Sequence, residues 1–168
     1  SGINLRVGNT AEDWYQNQKL GLANSNLYWK NLAPAPGTSA YAKERNARFD
    51  EVHVVVVDDT GSVTGTAGNI LEKWTGLSKA QDAKISPSTA TYYKDYVANY
   101  SDYIFAGEVE TGSSLKYSTA GGYSLDSTGT WGKNAQGVTF NGVGAKVHTL
   151  QSGNDYGSVG SYNATLGD

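Results

Sequence analysis

The hydrophobic pattern is sharpest over residues 51–57, EVHVVVV, where valine alternates and then runs unbroken from Val54 to Val57. A short run that is apolar on both faces predicts a strand covered on two sides and central in its sheet. Asp58-Asp59-Thr60-Gly61 follows and predicts a turn, with aspartate bonding locally and glycine free to take a positive φ. Residues 62–66 can return antiparallel, and Ile70, Glu72 and Trp74 continue the extended pattern to Leu77. The period then changes. After Pro87, with Ser88 or Thr89 as the cap, Tyr92, Tyr93, Tyr96, Val97 and Tyr100 form one stripe of a helix. That stripe must pack on something, most simply the sheet. Tyr103-Ile104-Phe105-Ala106 predicts a short strand just beyond it.

The flanks are less regular. Ile3, Leu5 and Val7 alternate with polar neighbours, which predicts a half-buried strand. Residues 11–31 hold Trp14, Tyr15, Leu20, Leu22, Leu27, Tyr28 and Trp29 without a clean period. They predict irregular chain with short helical turns, punctuated afterwards by Pro34, Pro36 and Gly37. Residues 43–48, KERNAR, read as a solvated, charged approach to the valine strand. Residues 110–137 are rich in Gly, Ser and Thr, with Leu115, Tyr117, Tyr123, Leu125 and Trp131 as scattered anchors. Such a stretch predicts weak hairpins or a surface insertion. Residues 138–140 and 146–150 (KVHTL) predict two last short strands. The sum is an α+β fold: a mainly antiparallel or mixed sheet, one or two helices packed on it, and a long Gly/Ser/Thr-rich insertion.

Composition narrows the picture. A length of 168 residues favours one domain, residues 1–168, or one domain-sized piece of a longer protein. Ser1-Gly2 reads as a cloning remnant and residues 162–168 carry no closing element, so a fragment is the expectation. With 13 basic and 16 acidic side chains mixed along the chain, net charge is −3, which gives no electrostatic footprint for nucleic acid. The valine run of 54–57 is far short of the ~20 apolar residues a membrane-spanning helix needs. Cysteine is absent, which excludes disulfides, thiolate metal sites and a cysteine nucleophile.

Candidate chemistry is sparse. His53 and His148 sit at alternating positions of predicted strands, without the spacing of a metal site. Asp58-Asp59 is the one adjacent carboxylate pair, but neighbours on a tight turn diverge, whereas acid/base pairs must face each other. Gly65 to Gly68 and Gly142-Val143-Gly144-Ala145-Lys146 fit neither a phosphate loop nor a dinucleotide fingerprint. The stretch from Gly157 to Gly160 lacks the strand and helix that frame a nucleophile elbow. Trp14, Trp29, Trp74 and Trp131 suit sugar stacking as well as core or interface packing. Asn99-Tyr100-Ser101 and Asn163-Ala164-Thr165 match the glycosylation pattern with no secretion signal beside them. The expectation is no catalytic residue, no cofactor and no metal.

One ordered set of phrases points further. A valine strand, an outgoing strand ending in Glu72-x-Trp74-x-Gly76-Leu77-Ser78, a helix bearing Lys94-Asp95 and a closing Tyr103-Ile104-Phe105 together resemble the tail sheath protein of contractile bacteriophages. The resemblance covers residues 5–7 and 51–107 best, and residues 147–153 more weakly. In the segment Leu150-Gln151-Ser152-Gly153-Asn154-Asp155, serine stands where the family usually has glycine. The resemblance implies a non-enzymatic subunit of the helical tube that contracts around the tail tube to drive envelope penetration. It implies a place in the virion after assembly in the host cytoplasm. The partners would be neighbouring sheath subunits, with tail tube and baseplate engaged through the parent protein. The chain would lie before the family's C-terminal domain, with 110–137 as a surface insertion, no nucleic acid or membrane insertion, and a monomeric state by itself. The other reading is a carbohydrate-binding or adhesin-like β-rich domain, which the Gly, Ser, Tyr and Trp content also fits.

Overall fold

The computed structural model describes residues 13–17, 19–20, 27–104, 129–142 and 144–145. Three short helices precede the first strand: α1 (Trp14–Asn17), α2 (Trp29–Leu32) and α3 (Ala40–Glu44). The first two are the single helical turns expected of an aperiodic aromatic stretch. A lone antiparallel bridge between Lys19 and Tyr28 joins them. The third replaces the expected charged loop. Ser39 caps it, its hydroxyl accepting the Ala42 N–H at 3.1 Å. Only its outer positions are charged, while Ala42 and Ala47 turn inward. Asn46, at φ 56°, breaks the helix in left-handed backbone that asparagine tolerates.

Strand β1 (Glu51–Asp58) pairs antiparallel with β2 (Asn69–Ser78), from Glu51 opposite Ser78 to Asp58 opposite Asn69. The fold is α+β. The return strand begins at Asn69, later than expected, because residues 59–68 fold into a local loop around Asp58. Two irregularities interrupt the register, between Val52 and Val54 and between Val56 and Val57. At the first, Thr75 and Gly76 oppose His53 alone, and Gly76 adopts φ 70°, the backbone of a glycine bulge. Among the described residues β1 has one ladder partner. Val54 and Val56 are half-buried, so the expected central position is not what these residues show.

A second pair, β3 (Lys84–Ser86) and β4 (Thr89–Ala90), brackets Pro87-Ser88. Pro87 therefore starts a turn instead of a helix, as its fixed φ allows. Helix α4 (Tyr93–Tyr100) follows, with Tyr92 at the N-cap position and no side-chain cap, which corrects Ser88 and Thr89. Its stripe is graded: Tyr92 and Val97 are buried, Tyr93 and Tyr96 half-buried, Tyr100 exposed. The stripe rests on β2 and on Trp131, whose ring meets Tyr93 edge-on at 5.3 Å.

Tyr103 and Ile104 are not in a strand, and 105–106 lie outside the described residues. Their two N–H groups are turned onto the Ser101 hydroxyl instead. Of the expected insertion, 110–128 lies outside the description. Residues 129–137 form turns that pack inward, with Ala135 fully buried. The predicted strand 138–140 is a single parallel bridge between Arg48 and Thr139. The predicted strands at 3–7 and 146–150 lie outside the described residues.

The main buried cluster is built from small residues: Ala42, Ala47, Ala80, Ala83 and Ala135, closed by Phe140 and flanked by Tyr41 and Val138. Alanine lets backbones approach closely, so α3, the turn after β2 and residues 135–140 meet at short range. Among the described residues no helix is long and apolar enough to cross a membrane.

Candidate functional site

Where these segments meet, the polar groups are tied into one knot. Asp50, just before β1, is completely buried. Its Oδ1 accepts the Ser39 N–H at 2.8 Å, and its Oδ2 accepts the hydroxyls of Ser39 at 2.7 Å and Ser78 at 2.6 Å. Each hydroxyl in turn accepts a backbone N–H, Ala42 for Ser39 and Ala80 for Ser78, both at 3.1 Å. The Asp50 carbonyl accepts the Lys79 N–H at 2.7 Å. A buried carboxylate is tolerable because each oxygen has a donor.

Lys79 lies beside it, also buried. Its ammonium donates to the carbonyls of Phe49 (3.0 Å) and Asn141 (3.1 Å) and stands 5.1 Å from the centre of the Trp131 ring. Burial lowers its pKa, and the nearby Asp50 charge partly opposes that shift. The Trp131 indole N–H donates to the same Asn141 carbonyl at 2.6 Å. This one lysine therefore joins the start of β1, the end of β2 and residue 141. Ser78 and Lys79 are a hydroxyl and an amine in sequence neighbourhood, yet Ser78 is 1% exposed and its proton is committed to Asp50. The arrangement holds chain segments together and offers no reacting atom to an incoming molecule.

The residues singled out in the sequence take similar roles. His53 is bound through both ring nitrogens: Nε2 to the Pro34 carbonyl at 2.8 Å, and Nδ1 to the Gly76 N–H at 2.9 Å. Both bonds together require the neutral ring protonated at Nε2. Asp58 accepts the N–H groups of Gly61, Val63 and Thr64 and the Thr64 hydroxyl. Desolvation pushes this carboxyl up, but the bonds from Thr64, Val63 and Gly61 outweigh it and hold the pKa below 3.8. Asp59 faces solvent. The pair diverges as turn geometry requires.

Glu72 accepts the Ser101 hydroxyl at 2.7 Å and the Asp102 N–H at 2.8 Å, fastening the exit of α4 to β2. The hydroxyl of the first glycosylation-type triplet is thus already engaged. Trp14 meets Trp29 edge-on at 6.1 Å, and Trp29 lies 6.4 Å from His53, whereas Trp131 belongs to the lysine knot. These three rings do not share one platform. Among the described residues no His, Asp or Glu cluster could hold a metal ion. His148 and the stretches at 157–160 and 163–165 lie outside the description.

Sequence reasoning missed Asp50, Ser39 and Lys79. A signal existed for Ser39, a hydroxyl three residues ahead of Ala42 after a Pro-Gly break, which is N-cap chemistry. For Asp50 and Lys79 only the third dimension shows that they lie side by side. The chain matches no protein-family model, no curated protein and no solved structure.

Proposed function

We propose that this chain is a structural subunit of a contractile phage tail sheath, part of the helical tube that shortens around the tail tube to drive envelope penetration. One observation carries most weight. The phrase that bears the resemblance, residues 72–78, is occupied with holding the fold, as is Lys79 directly after it. Glu72 fastens the end of α4, Gly76 forms the bulge that receives His53, Leu77 is buried, Ser78 binds Asp50 and Lys79 ties three segments. Spacing of this kind is what a scaffold needs and gives no substrate a foothold. On this reading the chain is not an enzyme and uses no cofactor. Its partners are neighbouring sheath subunits, with tail tube and baseplate reached through the parent protein. Its place is the virion tail after assembly in the host cytoplasm.

The test is to express the gene product that carries this chain and view it by negative stain. Tubes or stacked rings are expected, while the isolated chain sediments as a monomer at micromolar concentration. Antibodies against the chain should decorate the tails of the phage. A product that stays monomeric and binds members of a glycan array would replace this proposal with the adhesin reading.

A further inference from the structure

Phe49 is an exposed aromatic at a backbone position that favours glycine. Its backbone is left-handed, φ 60°, because its N–H is held by the Thr38 hydroxyl at 2.9 Å and its carbonyl by the Lys79 ammonium. Glycine would serve there without strain, whereas a bulky residue costs about 1–3 kcal/mol in such backbone. Yet the ring projects outward, 55% exposed, next to the exposed Arg48. Residues 43–48 carry three cations against Glu44, which pairs with Arg45 at 3.5 Å. The base of the ribbon thus presents a basic knuckle with an aromatic tip.

The far end of the same ribbon has the opposite character. From 58 to 69 there is no lysine or arginine, and the charges are the carboxylates of Asp58, which its own loop engages, and Asp59, which is exposed. Around the loop, Val63 is 59% and Ile70 39% exposed, with Asp59 in solvent beside them. An eight-residue strand separates the two ends, roughly 25 Å at ~3.3 Å per residue.

The geometry points to a head-to-tail contact between copies of this chain: Phe49 and Arg48 of one copy dock on Val63, Ile70 and Asp59 of the next. The two surfaces differ and lie at opposite ends, so the contact is heterologous and repeats from copy to copy, into a ring or an open helix according to its rotation. Complementary charge fixes the register, and the exposed apolar residues supply the area. A patch this small dissociates readily in isolation and gains strength from repetition. The inference rests on the sheath reading for the biological role of the polymer but not for the contact itself.

The cysteine-free chain gives a clean background for cross-linking. Glu44→Cys and Ala67→Cys variants of the full chain, mixed at high concentration under mild oxidation, should give the mixed dimer several-fold in excess of either homodimer. A statistical mixture would overturn the contact. Phe49→Gly should abolish that excess while keeping or raising the melting temperature. A lower melting temperature would make Phe49 a packing residue and refute its assigned role. Arg48→Glu should lose the mixed dimer, and Asp59→Arg on the other copy should restore it; failure of rescue also refutes the pairing. Tubes of the whole gene product that are unaffected by Phe49→Gly would sink this contact and leave the sheath reading intact. A persistent mixed dimer from a product that never forms tubes would do the reverse.

Discussion

Replacing Asp50 tests the knot most directly. In Asp50→Ala, the Ser39 N–H and the hydroxyls of Ser39 and Ser78 lose their acceptor. Bonds to a charged group contribute about 1.5–3 kcal/mol each, so a simple sum overshoots. Relief of the buried carboxylate's desolvation offsets part of it, and loss of Lys79's neighbouring charge adds to it. Leaving buried donors without an acceptor costs about 1–3 kcal/mol for each, and with partial relaxation about 3–5 kcal/mol is the expected loss. For a chain of this length it corresponds to a melting-temperature drop of about 6–20 °C. Asp50→Asn separates charge from shape. Its amide can donate to the two serine oxygens, but both hydroxyl protons are then left without an acceptor, for a loss of about 1–3 kcal/mol. Urea and thermal unfolding followed by circular dichroism would measure both, with Asp59→Ala as the exposed control. The reasoning fails if Asp50→Ala is no worse than that control, or if Asn and Ala cost the same.

Three further outcomes follow from the same geometry. Lys79→Met should cost about 1–3 kcal/mol near neutral pH, chiefly because the Phe49 carbonyl loses its ammonium donor, while the Asn141 carbonyl keeps the Trp131 indole N–H. Because burial holds the folded pKa of Lys79 below 10.5, the unfolded chain binds the proton more tightly, and wild-type stability should rise with pH just below that value. Unfolding titrations should show that rise absent in Lys79→Met. For Asp58 the folded pKa lies below 3.8, so its contribution is full above that pH and disappears as pH falls through the folded value. Asp58→Asn should therefore be less stable than wild type near neutrality and converge with it in acid, as thermal melts across pH would show. Finally, Gly61→Ala should cost about 1–3 kcal/mol more than Gly65→Ala, because both glycines have positive φ but only the first would push a Cβ to 2.7 Å from the Ala67 nitrogen; equal melting temperatures would refute this.

What could be read from the sequence was what periodicity encodes. The two-sided valine run, the extended 70–77 stretch and the tyrosine stripe became β1, β2 and α4. Boundaries failed where hydrogen bonding outweighed pattern. Asp58 gathers its own loop and delays β2, and Pro87 turns a hairpin where a helix start was expected. The core itself was illegible for a different reason. Five alanines carry too little hydrophobic signal to mark a buried face, and KERNAR conceals one of them, Ala47, among charges. The polar knot was illegible because Ser39, Asp50 and Ser78 are far apart in sequence, and any one alone reads as a turn or surface residue. Burial makes each of them costly, and their meeting removes the cost.

The ribbon is consequently unequal along its length. At its base, hydrogen bonds join residues distant in the chain: Ser39 to Asp50, Ser78 to Asp50, Lys79 to Asn141, His53 to Pro34. At its tip, the bonds of Asp58 and Thr64 reach no farther than Asn69. Two strands alone are marginal in water, so the long-range bonds at the base supply stability that the local bonds of the tip do not. That asymmetry suits the proposed head-to-tail contact. A strained aromatic held by bonds between distant segments would there meet a loop closed by its own local bonds on the next copy.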